Sequence, residues 1–291
     1  MSSIPRGLPQ PIPAIHPLPE FLATGQTKAR YEDMKTVLQV PWMGVVTMAY
    51  AHYPTFFDSL WQGLRPVCGS AAFVEGTQAL RATIEVGVKT LEPRPIGERL
   101  VELGYAPREL EQIRGMVEVF SHGNFPYLTI AAIVASLLQG DELSSDIEAP
   151  PFAGRHSPEI SVPFILMEAH HADPPTRTLY DDIKTTLGLP FVNTDYRALA
   201  RWPSFFAAVW GDLKPHVGTP AHESMALAAH DGALALARTL PNPTGLTAAA
   251  LQAAAAKDAP LEEITAVARL FFYLLPGLVT NVAFFREQLS R

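Results

Sequence analysis

The amino-acid sequence predicts an all-α fold built from two tandem homologous helical repeats, which form a pseudo-dimer with a central cleft. Three observations support this prediction. The chain has 291 residues and is 48% hydrophobic, so it is long and apolar enough to bury a large core. Apolar residues recur every three or four positions, whereas alternating β-branched runs are scarce. Fifteen of the forty residues from 31 to 70 are identical to their counterparts in a second copy of the segment, which begins at position 180.

The internal alignment divides the chain into four parts. The strongest match joins residues 31–41 to residues 180–190 and continues without a gap. The segments outside the match are rich in proline, and the second is also rich in serine and acidic residues, which is typical of extended chain. The predicted parts are a Pro-rich N-terminal arm (1–28), a first helical repeat (29–140), an inter-repeat linker (141–178) and a second helical repeat (179–291).

Apolar spacing and composition predict individual helices within each repeat. Val45, Met48, Ala49 and Tyr53 form one helical stripe, and a second stripe runs through residues 270–282. Residues 248–256 consist only of Ala, Leu and Gln, which are strong helix formers. Proline suits the first turn of a helix because of its fixed φ and missing N–H. We therefore expect helices to begin at the prolines at positions 41, 54, 190, 203 and 260.

Composition and charge exclude several classes of function. The formal net charge is −7 and no basic block occurs, so the surface does not attract phosphate backbones and nucleic acid is not an expected partner. The single cysteine, Cys68, excludes an internal disulfide and a CxxC redox pair. This cysteine usage fits a reducing compartment, and no signal peptide is visible at the N-terminus, so we expect a cytoplasmic protein.

The longest apolar stretch, residues 270–279, is short and interrupted by Pro276-Gly277. It therefore suits a buried helix better than a membrane span, and we expect no membrane contact. The apolar helix that starts with this stretch continues to Phe285. We expect it to be buried either within the chain or against a second copy of the protein. The sequence thus leaves a homodimer open.

A difference between the two copies singles out Asp195. Its counterpart in the first copy is Val46, and a residue present in only one copy is not needed to make the fold. A buried carboxylate costs several kcal/mol unless it is paired, and burial raises its pKa towards the range useful to a general base. The alternative interpretation places Asp195 in the first turn of a helix, with Thr194 as the cap.

The opposite difference singles out Asn124, whose counterpart in the second copy is Leu274. An amide has an acceptor and two donors, so it can hold a water molecule while a carboxylate takes the proton of that water. The alternative interpretation is that Asn124 caps a turn or helix before Pro126. Taken together, the two differences favour one functional site per chain, shared across the cleft.

At these residues the chain resembles the group I 2-haloacid dehalogenases, a family whose members act on D, L or both enantiomers. The resemblance rests on residues 31–42, on His122-Gly-Asn124 with Tyr127 following, and on Thr194-Asp195 followed by residues 198–203. It implies hydrolysis of short-chain 2-haloalkanoic acids to 2-hydroxy acids with inversion. It further implies direct attack by water, no covalent ester intermediate and no metal or organic cofactor, so that the expected partners are the 2-haloacid substrate and water.

The resemblance also implies the roles of individual residues. Asp195 matches the catalytic aspartate, which is the general base, and Asn124 matches the asparagine that positions and activates the water. Trp42 matches an aromatic wall of the substrate pocket, and Thr194 occupies a small hydroxyl position. The implied substrate-binding residues are Trp42, Val45, Tyr127 and Thr194.

Two positions depart from the family pattern. Val45 stands where members carry a bulky aromatic residue, and Met48 stands where some carry a basic residue. A larger or more apolar pocket is one implication. The group that binds the substrate carboxylate is left open, with backbone N–H groups near Trp42 or Phe191 as candidates. Arg197 and Arg201 are not expected to serve, because their spacing from Asp195 points them to other faces.

Three alternatives remain at this point. Trp42 on its own would also suit ordinary core packing. A non-dehalogenating relative would bind a small carboxylic acid in the same cleft. A metal-dependent hydrolase would use a dense set of ligand-type residues in the linker, although sequence neighbours project in different directions and we expect no metal site. That set is Glu168, His170, His171 and Asp173.

Overall fold

A computed structural model describes residues 4–144, 148–159 and 162–290. These residues form twelve α-helices and three short 3₁₀ helices. Within the same ranges, pairing of the β type is limited to an isolated bridge between Ser70 and Pro151. The predicted all-α fold class is therefore confirmed.

The helices divide into two sets of six with a common order. The first six are α1 (Gly25–Leu38), α2 (Val45–Tyr50), α3 (Pro54–Cys68), α4 (Ala71–Gly87), α5 (Gly97–Glu102) and α6 (Pro107–Leu138). The second six are α7 (Pro174–Leu187), α8 (Thr194–Leu199), α9 (Pro203–Leu213), α10 (Pro220–Thr239), α11 (Ala248–Ala255) and α12 (Leu261–Gln288). The 3₁₀ helices span Glu20–Leu22, Val88–Leu91 and Lys214–His216. The internal alignment, extended without a gap, pairs the first residues of α7, α8, α9 and α10 with those of α1, α2, α3 and α4.

The two long helices α6 and α12 pack along each other at the centre, and α4 and α10 pack against both. Every side chain of α6 from Val119 to Leu138 is buried. Among the described residues, α12 is the one helix long and apolar enough to span a membrane, but 83% of its most apolar stretch is buried inside the chain. Residues 270–279 thus lie in a core helix, as predicted, and their apolar faces are covered by this chain itself.

Hydrogen bonds recur at equivalent positions of the two halves. A tyrosine near the start of each half donates to a backbone carbonyl, and a tryptophan donates to an aspartate 28 residues earlier in the chain. The tyrosine bonds are Tyr31 to Leu18 and Tyr180 to Met167, at 2.9 and 2.7 Å. The tryptophan bonds are Trp61 to Asp33 and Trp210 to Asp182, both at 2.8 Å. These bonds fix the first and third helices of each half against their neighbours.

Most of the predicted helix positions are found, with two kinds of exception. Helices α3 and α9 begin at prolines, α12 begins directly after Pro260, and α11 spans the Ala-rich segment. Pro41 and Pro190 do not begin helices, because each lies in the connection between two helices. Tyr53 does not belong to the helix of Val45, since α2 ends at Tyr50 and Pro54 disfavours a helical conformation at Tyr53.

The described residues of the Pro-rich arm and of the inter-repeat linker are largely without regular secondary structure, and each segment is hydrogen-bonded to the short helix of its own half. The Leu18 N–H donates to the Met48 carbonyl at 3.0 Å, and the Met167 N–H donates to the Arg197 carbonyl at 2.9 Å. Helix α7 begins at Pro174, inside the segment predicted as linker, where Asp173 accepts a hydrogen bond from the Thr176 N–H at 2.9 Å. Its polar first turn lacks the apolar spacing that would have indicated a helix.

Candidate active site

Asp195 and Asn124 meet in the interior of the protein. Asp195 is the second residue of α8, and Asn124 lies in the middle of α6. The Asn124 Nδ2 donates to the Asp195 Oδ1 at 2.5 Å, and the two residues are only 3% and 2% exposed. The pair therefore joins a helix of the first half to a helix of the second half in a place that bulk water does not reach.

The structure shows how these two residues stand towards the helix ends that the alternative interpretations invoke. Asn124 does not cap a helix, because α6 continues from Pro107 to Leu138 with Pro126 inside it. Asp195 does lie in a first helical turn, but Thr194 is the first helical residue and not the cap. The cap position belongs to Asn193, whose side chain makes no capping bond. Stabilisation of a helix end thus does not account for the buried side-chain contact between Asp195 and Asn124.

Burial raises the pKa of Asp195 from 3.8 to about 7. Three interactions act in the opposite direction and favour the carboxylate: the hydrogen bond from Asn124, a bond from the backbone N–H of Asp195 and the positive charge of Arg197. A carboxyl group with a pKa in this range exchanges its proton near neutral pH, which is the property that a general base requires.

A cavity of about 30 Å³ lies against the Asp195–Asn124 pair, and we call it the inner cavity. It has room for a water molecule. Its polar wall consists of Asn124, Asn193, Thr194 and Asp195. The Oδ1 atom of Asn193 is buried and has no hydrogen-bond partner among the described residues. The apolar and aromatic wall consists of Trp42, Val45, Val46, Tyr127, Phe191, Phe271, Leu274, Leu275 and Leu278.

Trp42 is held in place by aromatic neighbours and by a glycine. Its ring stacks on Phe164 of the linker, with centroids 5.4 Å apart and planes within 7°, and it meets Phe120 edge-on at 4.9 Å. A Cβ atom on Gly123 would lie 2.3 Å from the indole, so only glycine leaves room for Trp42 at this point of α6. Trp42 therefore packs in the core and walls the cavity at the same time.

Tyr127 fixes the chain that leads into α2. Its hydroxyl donates to the Trp42 carbonyl at 2.6 Å, and its ring lies directly against Gly44, where a Cβ atom would approach to 2.8 Å. Because the hydroxyl hydrogen is engaged by a backbone carbonyl, Tyr127 contributes its ring and its positioning of Trp42 to the cavity.

A second, larger cavity of about 970 Å³ adjoins the inner cavity, and we call it the outer cavity. Four residues line both cavities: Trp42, Val45, Phe191 and Thr194. The outer cavity is further walled by arm residues 13–21 and by linker residues 164–170, with mostly apolar side chains such as Ile15, Met48 and Phe164. A ligand that enters from this side passes between these segments before it reaches Asp195.

The ligand-type residues of the linker, considered as an alternative metal site, are not brought together. Glu168 pairs with Arg197 at 2.6 Å, and Asp173 caps α7. His170 and His171 lie beside each other, with ring centroids 4.0 Å apart. Across the described parts of the chain, no group of three or more His, Cys, Asp and Glu side chains is arranged to hold a metal ion.

Comparison with known proteins identifies the family. A family model described as "Halocarboxylic acid dehydrogenase DehI" matches residues 41–195, a range that contains Trp42, Asn124, Tyr127 and Asp195. An (R)-2-haloacid dehalogenase from Rhizobium sp. (strain NHG3) is 48% identical over 247 residues, which are 84% of this chain and 96% of that protein. The chain belongs to the group I 2-haloacid dehalogenase family. This membership confirms the resemblance noted in the sequence and the enzyme class, a carbon–halide hydrolase.

Other members of the family match over almost the whole chain. An (R)-2-haloacid dehalogenase from Pseudomonas putida is 35% identical over 296 residues, covering 99% of this chain and 97% of that protein. The crystal structure of a D-2-haloacid dehalogenase mutant superposes with a TM-score of 0.89 at 32% identity, and covers 98% of this chain and 99% of the other. A complex of a D-2-haloacid dehalogenase with L-LA superposes with a TM-score of 0.88. The helical fold described above is thus the fold of this dehalogenase family.

In this member of the dehalogenase family, sequence reasoning missed three residues that shape the two cavities. Gly123 lies within the His-Gly-Asn segment, but the spacing of residues along the sequence does not predict its contact with Trp42. Phe164 was part of a segment interpreted as a linker, and it stacks on Trp42. Arg197 was set aside because of its spacing from Asp195, yet it lines the outer cavity and donates to the Thr194 hydroxyl at 3.3 Å.

Proposed function

We propose that this chain hydrolyses short-chain 2-haloalkanoic acids to 2-hydroxy acids with inversion, by direct attack of a water molecule that Asp195 activates and Asn124 positions. No covalent ester intermediate forms. The observation that carries the proposal is the buried Asp195–Asn124 pair at the wall of a cavity with room for water. The curated relatives support the reaction, because they are named (R)-2-haloacid dehalogenases or configuration-inverting 2-haloacid dehalogenases.

The chemistry is a single displacement at the C2 carbon of the substrate. The water oxygen forms a bond to C2 while the carbon–halogen bond breaks and its electron pair leaves with the halide ion. Asp195 accepts a proton from the attacking water, because water is a poor nucleophile unless a base takes its proton as the new bond forms. Attack on the face opposite the leaving halide inverts the configuration at C2.

Asn124 is suited to orient the water. Its Nδ2 is committed to Asp195 Oδ1, which leaves its carbonyl oxygen to accept a hydrogen from the water molecule. The amide thus holds the water beside the carboxylate in a fixed geometry, and such preorganisation lowers the entropic part of the barrier. Pairing with Asn124 also lowers the pKa of Asp195, which keeps a useful fraction of the base ionised at neutral pH.

The proposed substrate-binding residues are Trp42, Val45, Tyr127 and Thr194, all of which line the inner cavity. Trp42 presents an aromatic face to a large, weakly hydrated halide. Val45 leaves space for the alkyl group, and Thr194 supplies a hydroxyl beside Asp195. Tyr127 holds the Trp42 backbone through its hydroxyl, so that the aromatic wall keeps its position.

We also propose that α1–α6 and α7–α12 are two copies of one unit that face each other across both cavities. The repeated helix starts and the repeated tyrosine and tryptophan hydrogen bonds support this. The walls of the outer cavity contain positions that are paired by the internal alignment, which include Ile15 with Phe164 and Trp42 with Phe191. The correspondence therefore reaches into the arm and the linker, upstream of residues 29 and 179. A cytoplasmic location agrees with the single, buried, free thiol of Cys68.

The test is halide release from the D and L forms of 2-chloropropionate and 2-bromopropionate. We expect faster release from the (R) enantiomers, following the names of the 48% and 35% identical relatives. Asp195→Asn should abolish release, and Asn124→Ala should reduce kcat by about two orders of magnitude. Both variants should keep the wild-type circular dichroism spectrum, and a folded Asp195→Asn enzyme with full activity would contradict the proposed base.

The route of the oxygen atom is tested by a single turnover in H₂¹⁸O with enzyme in excess over substrate. Direct attack puts ¹⁸O into the 2-hydroxy acid in the first turnover and leaves Asp195 unlabelled. An ester mechanism puts ¹⁶O from the enzyme into the first product instead. A protein that is stabilised by small carboxylic acids yet releases no halide would support the alternative of a non-dehalogenating relative.

A further inference from the structure

The outer cavity contains a pair of charges that is found in only one half of the chain. Arg197 and Glu168 both line this cavity and form an ion pair at 2.6 Å. Their counterparts in the first half are Met48 and Pro19, which also line the cavity. The backbones are held alike, because the carbonyls of Met48 and Arg197 accept equivalent hydrogen bonds from Leu18 and Met167. The charged pair is thus not required to make the fold.

Not all N–H donors of the Arg197 guanidinium are used by hydrogen bonds. One guanidinium nitrogen donates to Glu168 and the other to the Thr194 hydroxyl at 3.3 Å. Its Nε atom is buried and has no partner among the described residues. The side chain of Arg197 is 20% exposed and that of Glu168 is 40% exposed. The arginine is therefore fixed in the cavity wall, while the carboxylate that it holds is the more exposed member of the pair.

The other charged groups of the outer cavity are engaged elsewhere. Glu20 pairs with Lys35 and accepts a bond from the Met43 N–H, and Lys184 pairs with Asp181. Arg197 is the charged residue in contact with Thr194, which lines the outer and the inner cavity. Because the protein carries a net charge of −7, an anionic substrate needs a local positive group on its way to Asp195.

We propose that Arg197 forms a docking site for the carboxylate of the incoming 2-haloacid in the outer cavity, and that Glu168 holds this site between substrates. A planar guanidinium can bind a carboxylate with two parallel donors, and one nitrogen of the Arg197 guanidinium already binds the carboxylate of Glu168. The substrate carboxylate displaces Glu168 and is then transferred past Thr194 towards the inner cavity. The identity of the ligand rests on the proposed function.

The main test is the steady-state kinetics of Arg197→Gln with 2-chloropropionate at low ionic strength and at pH 9, where Asp195 is ionised even without the positive charge of Arg197. We expect KM to rise by about tenfold or more, as for the loss of a charge-assisted hydrogen bond, and kcat to stay within about threefold of wild type. Arg201→Gln is the matched control: it removes the same charge from a neighbouring arginine that lines neither cavity and packs over Trp202. An equal rise of KM in both variants, or no rise in Arg197→Gln, would overturn the docking site.

Glu168→Gln separates a docking site from a merely structural ion pair. Removal of the competing carboxylate should lower KM by roughly twofold to fivefold in the wild-type background and leave KM unchanged in the Arg197→Gln background. A structural ion pair would instead lower Tm in both single variants without moving KM. Arg197→Lys, which keeps the charge without the planar fork, should show a KM between those of wild type and Arg197→Gln.

Ionic strength gives an independent measure. Salt screens both the repulsion of the anionic substrate by the net charge of −7 and its attraction to Arg197. Compared with wild type, Arg197→Gln should therefore lose less kcat/KM, or gain more, as salt is raised, whereas Arg201→Gln should keep the wild-type salt dependence. An equal salt dependence in all three proteins would contradict the role of Arg197.

A binding measurement keeps this inference separate from the proposed reaction. Propionate has the substrate carboxylate but no halogen, and its binding is followed by thermal shift. If wild type releases no halide from any 2-haloacid, the proposed function is wrong, yet stabilisation by propionate that Arg197→Gln abolishes would still support the docking site. Equal stabilisation of wild type and Arg197→Gln by propionate, or none of either, would overturn it.

Discussion

The short helices α2 and α8 occupy equivalent places in the two halves and differ in what they carry. Both are six residues long, and the internal alignment pairs their first residues, Val45 and Thr194. Val46 in α2 and Asp195 in α8 hold the same position in the helix, and each is 2% exposed. Since α2 is built with an aliphatic residue at this place, the carboxylate of α8 contributes nothing that the helix needs. Its burial is the environment that the proposed role of Asp195 as a general base requires.

The long helices α6 and α12 show the reverse difference. Asn124 of α6 donates to Asp195, whereas Leu274 of α12 and Val46 of α2 contribute apolar side chains to the lining of the inner cavity. The lining of this cavity is therefore polar in one part and apolar in another. A displacement reaction needs this division, because the water must be held on one side while the carbon–halogen bond is accommodated on the other.

The largest expected effect on stability comes from placing an aspartate in the first half, at the position equivalent to Asp195. Val46→Asp buries a carboxylate opposite aliphatic side chains, with no amide to pair with it. We expect the free energy of unfolding at pH 8, measured in urea, to fall by about 3–5 kcal/mol. The double variant Val46→Asp with Leu274→Asn should recover part of this loss, because it recreates the donor that Asn124 provides.

Val46→Asn is the matched control for this experiment, since it has the same shape without the charge and should be less destabilising at pH 8. Wild-type stability of Val46→Asp would mean that the apolar side of the inner cavity is open to water. Such a result would contradict the burial of both α2 and α8.

A smaller effect on stability is its pH dependence, which follows from the titration of Asp195. Its pKa rises from 3.8 to about 7 on folding, so the folded protein binds the proton more tightly than the unfolded chain. The stability contributed by this proton is therefore complete below pH 4 and is lost as the pH rises towards 7 and above. Each unit of pKa shift corresponds to about 1.4 kcal/mol, which gives roughly 4 kcal/mol at most.

Asp195→Asn removes this dependence and keeps the acceptor for Asn124. We therefore expect the variant to have a higher Tm than wild type at pH 8 by roughly 5 °C or more, and a much smaller difference at pH 4. The same pKa predicts that wild-type kcat/KM falls about tenfold per pH unit below pH 7. A difference in Tm that is independent of pH would mean that Asp195 is charged in both states throughout this range.

The comparison of the two halves also explains what the sequence could predict. Asp195 and Asn124 were found because each has an aliphatic counterpart, and all six residues singled out for catalysis and substrate binding line the inner cavity. The helical class followed from apolar spacing. These predictions depend on local pattern or on the internal alignment, and both are contained in one sequence.

Contacts between distant segments were not predictable in this way. The stacking of Phe164 on Trp42 joins the linker to the start of α2, and the approach of Gly123 to Trp42 depends on how α6 packs. The prolines at positions 41 and 190 lie in connections because the preceding helices end there in left-handed residues, Gln39 and Gly188. The two contacts with Trp42 depend on tertiary packing, which spacing along the chain does not encode, whereas the two helix ends are local features.

The smallest expected effect concerns the hydrogen bond that fixes the backbone just before α2. The two halves differ in this bond as well. The Tyr127 hydroxyl binds the Trp42 carbonyl in the first half, whereas its counterpart in the second half is Gly277 and offers no such bond. Tyr127→Phe leaves a buried carbonyl unpaired and should lower the free energy of unfolding by about 1 kcal/mol. Because Trp42 is then less firmly placed, KM for 2-chloropropionate should rise by roughly twofold to threefold. Tyr31→Phe removes a comparable bond, to the Leu18 carbonyl, from a tyrosine that lines neither cavity, so it should reduce stability without changing KM. A rise of KM in both variants would show that general loosening of the protein, and not the position of Trp42, controls substrate binding.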